Sequence, residues 1–120
     1  MSGHTVVEKR SRFVAVAARV ASLEEAEAFV AGRRRALRKA RHHCWACRVP
    51  GGHRPLEQAR DDGEVGRPGH ALLDLLRHRE HLGIVLVVSR LYGGVKLGPA
   101  GVTRAVRRAA EGALGDLDPS

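Results

Sequence analysis

Gly83-Ile-Val-Leu-Val-Val-Ser-Arg-Leu-Tyr-Gly-Gly-Val-Lys-Leu-Gly-Pro-Ala-Gly101 runs from an apolar block into a glycine-rich loop. An arginine-studded amphipathic segment, 102–114, follows. The order reads as a buried strand over 83–90, a loop, and a helix over about 99–114. Gly93, Gly94, Gly98 and Gly101 let the backbone turn tightly and present N–H groups outward. The helix start adds unpaired N–H groups and the positive end of its dipole. Arg90, Lys96 and Arg104 bracket the loop with positive charge, so the arrangement favours an anion, and a phosphate above others. It is not a Walker A site, because no Gly-Lys-Ser/Thr follows the strand, and the GxGxxG spacing of a dinucleotide fingerprint is absent. Close packing between helix and strand would account for the same glycines.

The segments upstream complete an α+β pattern. Residues 11–20 alternate as a strand should. Ser22 and Glu25 form a capping box, which predicts a helix over 23–39 with Leu23, Ala26, Phe29, Val30 and Leu37 inward. A strand over 41–49, a turn over 50–55 and a short strand over 56–60 come next. The acidic loop Asp61-Asp-Gly-Glu64 precedes a helix over 68–81, with Pro68 in its first turn and Leu72, Leu73, Leu75 and Leu76 inward. In the last helix Val102, Ala105, Val106, Ala109 and Ala113 share one side, opposite Arg104, Arg107, Arg108 and Glu111. The tail, 115–120, is expected to fray. Three helices against a mainly antiparallel sheet make a two-layer α+β domain.

With 120 residues the chain is sized for one domain. Its longest apolar run, Ile84 to Val88, falls far short of the roughly 20 residues that span a bilayer. No long apolar stretch of the signal-peptide kind opens the chain, so a cytoplasmic location without membrane contact is the expectation. The net charge of +8 lies wholly in residues 1–60, which hold 13 Lys/Arg against 5 Asp/Glu; residues 61–120 hold 8 of each. Such a basic half suits nucleic acid or another polyanion. Arg33 to Arg41 carries much of it, at a helix end whose dipole favours cations.

On a strand over 41–49, His42, Cys44, Ala46 and Arg48 share one face, and His43, Trp45, Cys47 and Val49 the other. Cys44 and Cys47 therefore point apart, which argues against a redox pair, and no second CxxC completes a zinc site. No metal or cofactor is expected from these residues. Asp61, Asp62 and Glu64 could hold Mg²⁺, or brace the loop by bonding to nearby N–H groups.

Taken together, several stretches resemble the IMPACT family, whose bacterial branch includes YigZ-like proteins. They are Lys9-Arg-Ser-Arg-Phe13, Glu24-Glu-Ala26, His42 with Cys44-Trp-Ala46 and Arg48, Asp61-Asp-Gly-Glu64 and Gly66-Arg-Pro68. Val87-Val-Ser-Arg-Leu-Tyr-Gly-Gly94, Lys96-Leu-Gly98, Gly101 and Arg104-Ala105 continue the likeness, which covers about residues 8–114. It implies a single IMPACT N-terminal-like domain over 1–120, without the ferredoxin-like second domain of many bacterial members. It also implies a fold like the second domain of ribosomal protein S-five: a four-stranded, mainly antiparallel sheet with helices on one face. Both that domain and the fourth domain of elongation factor G, which it also resembles, work on ribosomal RNA. Family members are linked to translation. Against the family pattern, Val65 stands in a proline's place and about four loop residues are missing before Gly66. Cys47 replaces an aromatic residue, Pro99-Ala100 a small-residue/Gly pair, and Val106 a frequent tyrosine.

The leading expectation is a non-enzymatic regulator of translation that binds RNA or the ribosome through the basic glycine loop. Arg90, Tyr92, Gly93, Gly94, Lys96, Gly98, Gly101, Arg104, Arg107 and Arg108 are its candidate phosphate- and base-contacting residues. One alternative is an enzyme acting on a phosphorylated small molecule or nucleotide. There Asp61, Asp62 and Glu64 would hold Mg²⁺ or act as general base, assisted by His42 or Cys44. A protein-interaction module is the other alternative. The sequence leaves oligomeric state open.

Overall fold

The structure, a computed structural model, describes residues 1–117. Its elements in chain order are β1 (Ser2–Glu8), β2 (Ser11–Arg19), α1 (Leu23–Ala36), β3 (His42–Val49) and β4 (Leu56–Arg60), then α2 (Pro68–His78), β5 (Ile84–Leu91) and α3 (Gly98–Gly115). All five strands form one antiparallel sheet in the order β1-β2-β5-β3-β4. The central place of β5 explains its unbroken apolar run, since both of its faces are covered. Ile84, Leu86 and Val88 pack with Phe13, Ala15, Ala17, Cys44 and Ala46 beneath α2 and α3. Val85 and Val87 join Ala18, Trp45 and Cys47 beneath Ala26 and Val30 of α1. Burial of each large side chain, such as Phe13, Leu72, Leu76 or Leu86, contributes about 1.5–3 kcal/mol. No helix among the described residues is long and apolar enough to cross a membrane.

The expected α+β class and antiparallel sheet are present, with two corrections. The sheet has five strands, because 2–8 forms an edge strand. Its only buried residue is Val6, so it lacks the strong alternation of β2. The β1–β2 turn is also disguised. Glu8 pairs with Ser11 across a two-residue loop in which Lys9 (φ 45°) and Arg10 (φ 69°) take left-handed conformations usually given to Asn-Gly. The helices lie on both faces, not one. The second face of β3 and β5 is as apolar as the first, and α1 covers it.

Two helix ends also moved. α1 stops at Ala36, not Lys39, and turns at Leu37, whose N–H still donates to the Arg33 carbonyl. α2 stops at His78 in a Schellman pattern: the His81 N–H donates to the Leu76 carbonyl and the Glu80 N–H to that of Arg77. Glu80 (φ 55°) occupies the left-handed position where a glycine would have marked the end. The capping box forms as read, with Glu25 N–H donating to Ser22 Oγ at 3.1 Å and Glu25 Oε2 accepting from Ala21 N–H at 2.9 Å. Leu117 is buried beyond α3, so the tail docks at least that far; the rest of the expected frayed tail lies outside the described residues.

Candidate functional site

The start of β3, the end of β5, the acidic loop and the N-terminus of α3 meet at one end of the sheet. They enclose a cleft of about 460 Å³, lined by His42, Glu64, Arg90, Tyr92, Lys96 and the first turn of α3 among others. Register places Arg90 here: it is the cross-strand partner of Phe13 on β2 and of His42 on β3. Its guanidinium lies 5.4 Å from the Phe13 ring centroid and 5.3 Å from that of Tyr92. Its Nη1 donates to Glu64 Oε1 at 3.2 Å, and the Val65 N–H donates to the same oxygen. The Glu64 and Arg90 side chains are 4% and 12% exposed, so this is a buried ion pair. Expected to meet a phosphate, Arg90 already has its charge matched by Glu64.

The two aspartates brace the loop. Asp61 Oδ1 accepts from the Gly69 N–H at 2.8 Å, at the point where α2 comes so close to β4 that a Cβ on Gly69 would strike the Arg60 backbone. Asp62 takes both terminal nitrogens of Arg34, at 3.0 and 3.2 Å, and the His43 N–H at 2.8 Å. Its own carbonyl accepts from His42 Nδ1 at 2.7 Å. A carbonyl can only accept, so that bond assigns a proton to Nδ1. Of the residues named for an enzyme, His42 and Glu64 line the cleft, whereas Asp61, Asp62 and Cys44 do not. Cys44 is buried beneath the helices, and that burial, reinforced by the charges of Glu64 and Asp61, pushes its thiol far up, away from the thiolate form. Cys47 lies in the opposite core, as the strand spacing requires, and both thiols are free. No group of three or more His, Cys, Asp or Glu among the described residues is placed to hold a metal ion.

Burial works against ionisation of Asp62, yet the bonds from Arg34 and the His43 N–H outweigh it and hold the carboxyl below its usual value. A depressed folded-state pKa stabilises the fold above the unfolded pKa of about 3.9, and that contribution is lost as pH falls through the folded value. Asp62→Asn should therefore lower the thermal midpoint at neutral pH, by the equivalent of about 1 kcal/mol given the exposed Arg34. The gap from the parent protein should close below about pH 4. Thermal melts of both proteins from pH 7 to 3 check this; a gap that stays constant would contradict the assigned role. Glu57, lowered by its bonds to Arg77 and Arg48, adds the same trend to both.

The glycines divide by role. Gly93 is a packing glycine: its N–H donates to Ser11 Oγ at 3.2 Å, and a Cβ there would overlap the Arg10 backbone. Gly94 (φ 90°) and Gly98 (φ 74°) make the turns and face open space. Gly101 begins no turn and only touches Leu97. The shortened loop after Glu64 docks on the start of α3, where Gly66 lies against the Pro99 carbonyl and Thr103 Oγ1 donates to the Gly66 carbonyl at 2.9 Å. No side chain caps the N-terminus of α3, and Pro99 in its first turn has no N–H.

The ten phosphate-site candidates do not form one surface. Arg90, Tyr92, Lys96 and Gly98 line the cleft. Gly101, Arg104 and Arg108 line a neighbouring depression of about 270 Å³ with Glu8 and Lys9, and Arg108 pairs with Glu8 at 3.4 Å. Leu97 borders both hollows. Arg107 lies further round α3, beside Asp74 and Glu111. Lys9 and Arg41 reach the two hollows unforeseen, because they arrive through the concealed β1–β2 turn and the residue before β3. On the sheet's other face, His43 is buried with Nδ1 2.7 Å from Ser89 Oγ. Burial, helped by Arg34, lowers its pKa and keeps it neutral.

The Impact N-terminal domain family matches residues 9–114. An IMPACT family member from Thermus thermophilus is 42% identical over 106 residues, spanning 88% of this chain and 56% of that protein. YigZ of Escherichia coli is 38% identical over 118 residues, spanning 94% of this chain and 57% of its own length. The chain thus spans little more than half the length of these relatives. The crystal structure of a hypothetical protein superposes with a TM-score of 0.86 at 37% identity, over 98% of this chain and 59% of the other. The two-domain translational regulator Yih1 superposes with a TM-score of 0.62 at 26% identity, over 95% of this chain and 45% of its own.

Proposed function

The chain belongs to the Impact N-terminal domain family, and on that premise we propose that it regulates translation by binding RNA or the ribosome through the basic end of the sheet. The similarity to a translational regulator supports the process. One observation carries the mode of binding: Lys9, Arg41, Lys96 and Arg104 are exposed around the start of α3 without a carboxylate partner among the described residues. Arg34, Arg48, Arg77, Arg79, Arg90 and Arg108 are paired, while other cations without a carboxylate partner among the described residues, such as Arg33, Arg35 and Arg54, lie on α1 and in the 50–55 turn. The Lys9-Arg10 turn abuts the glycine loop through Gly93, which makes these cations neighbours. Unpaired cations beside an uncapped helix start suit a run of phosphates. Among aromatic residues, only Tyr92 is exposed at this end, so backbone contacts dominate over base reading.

Co-sedimentation with ribosomes at near-physiological salt tests the proposal. Lys96→Ala/Arg104→Ala should retain the parent's thermal midpoint and bind roughly tenfold more weakly. Equal binding by parent and variant would remove this surface from the account.

A further inference from the structure

At one margin of the sheet, β1 pairs with β2 alone. A two-residue loop is closed by a hydrogen-bonded pair, so Glu8, and with it Val6, His4 and Ser2, turns its N–H and C=O groups to β2. Those of Gly3, Thr5 and Val7 point away from the sheet, and these exposed residues have no outward backbone partner among the described residues. Sheet edges are normally closed to further strands by Lys, Pro, a bulge or brevity. The other edge, β4, has such devices: it is five residues long, follows Pro55, and carries Glu57 and Arg60. In contrast, β1 has none of them. Its seven residues run in unbroken register with β2, include no Lys, Arg or Pro, and leave Val7 64% exposed.

We propose that this edge pairs with the same edge of a second copy of the chain, antiparallel about Thr5, so that the two five-stranded sheets become one. Outward-facing residues then meet outward-facing residues. Thr5 lies opposite the partner's Thr5 and Val7 opposite the partner's Gly3, with two hydrogen bonds exchanged in each pair. No like charges face each other, since Glu8 falls opposite the partner's Ser2 and His4 opposite the partner's Val6. The charges beside the strand favour the same direction. Lys9, Arg104 and Arg108 outnumber Glu8 at one end of β1, whereas Asp116 stands with Arg19 at the other. Antiparallel pairing sets each positive end against a balanced one. It also fits the helices: α3 lies over both β1 and β2, so the two copies of α3 come about 10 Å apart, two strand spacings, which is the separation of packed helices. A second copy suits this edge better than an unrelated extended peptide, because two-fold pairing covers both open edges at once and leaves only the closed β4 edges outward. The cleft at the start of α3 contains no residue of β1, so the inference does not depend on the RNA reading.

Sedimentation velocity from about 1 to about 200 µM, the range in which modest interfaces associate, is the test. The parent should pass from monomer to dimer as concentration rises. Thr5→Lys places two ammonium groups face to face at the dyad, and Thr5→Pro removes an outward N–H; neither disturbs the bonds to β2. Each should weaken association roughly tenfold or more, with the circular dichroism of the parent retained. Hydrogen exchange locates the contact: the amides of Thr5 and Val7 should gain protection with concentration, and those of β4 should not. A parent that stays monomeric throughout would overturn the proposal. So would a dimer that both variants keep at full strength, or one that leaves the Thr5 and Val7 amides unprotected. Ribosome binding by a strictly monomeric parent would overturn this inference and leave the RNA reading standing.

Discussion

Arg90→Ala should destabilise the protein by roughly 3–5 kcal/mol, the largest loss expected from one change at the cleft. The reason is the carboxylate left behind. Glu64 is 4% exposed and its Oε1 depends on Arg90 and the Val65 N–H, so removing the guanidinium strands a buried negative charge. Contacts with the Phe13 and Tyr92 rings are lost as well. Burial of an ion pair is a poor source of net stability, because desolvation cancels most of the attraction. Arg90→Met/Glu64→Gln should therefore recover most of the loss, since neither charge remains to be buried alone. Urea denaturation of parent, single and double variants tests this. A single variant within about 1 kcal/mol of the parent would show that Glu64 finds another partner or that water reaches it.

Gly93→Ala should cost about 3 kcal/mol, for a reason opposite to the usual one given for glycines in loops. Its φ is not positive, and the penalty comes from collision. The added methyl would overlap the carbonyl carbon and oxygen of Arg10, backbone atoms fixed by the β1–β2 turn. Gly94→Ala provides the contrast: a Cβ there meets nothing within 4 Å, and only its φ of 90° resists the change, at about 1–2 kcal/mol. Denaturation midpoints measured side by side should rank the parent above Gly94→Ala and that above Gly93→Ala. The reverse order would mean that the loop does not pack on the first hairpin as described.

That collision also shows where the sequence could and could not be read. The strand–loop–helix at 83–114 was legible because its apolar run, glycines and helical period are all local signals. The alternation over 42–49 placed Cys44 and Cys47 in opposite cores for the same reason. The hairpin that meets Gly93 was hidden: Lys9-Arg10 adopts a turn that composition assigns to Asn-Gly, and Glu80 ends α2 where a glycine was the signal to seek. The faces taken by the helices depend on how α1 crosses the sheet, which no local pattern records. At the site, the glycine loop, His42 and the acidic loop were each visible, but their division of labour was not. Whether Arg90 meets a phosphate or Glu64 is decided by cross-strand register and by the folded loop at 61–67. Lys9 and Arg41 are ordinary surface cations until tertiary structure brings them to the start of α3.

The central claim, that phosphates are bound at this end of the sheet, is tested most directly by the salt dependence of binding to a structured RNA. The parent and Lys96→Ala/Arg104→Ala would be compared with a control of equal charge, Arg35→Ala/Arg54→Ala, whose residues lie elsewhere on the surface. The account predicts a log–log slope shallower by about 1.5 in the first variant than in the parent, with the control close to the parent. Equal slopes for the two double variants would contradict it, because the loss would then follow net charge and not the surface at α3.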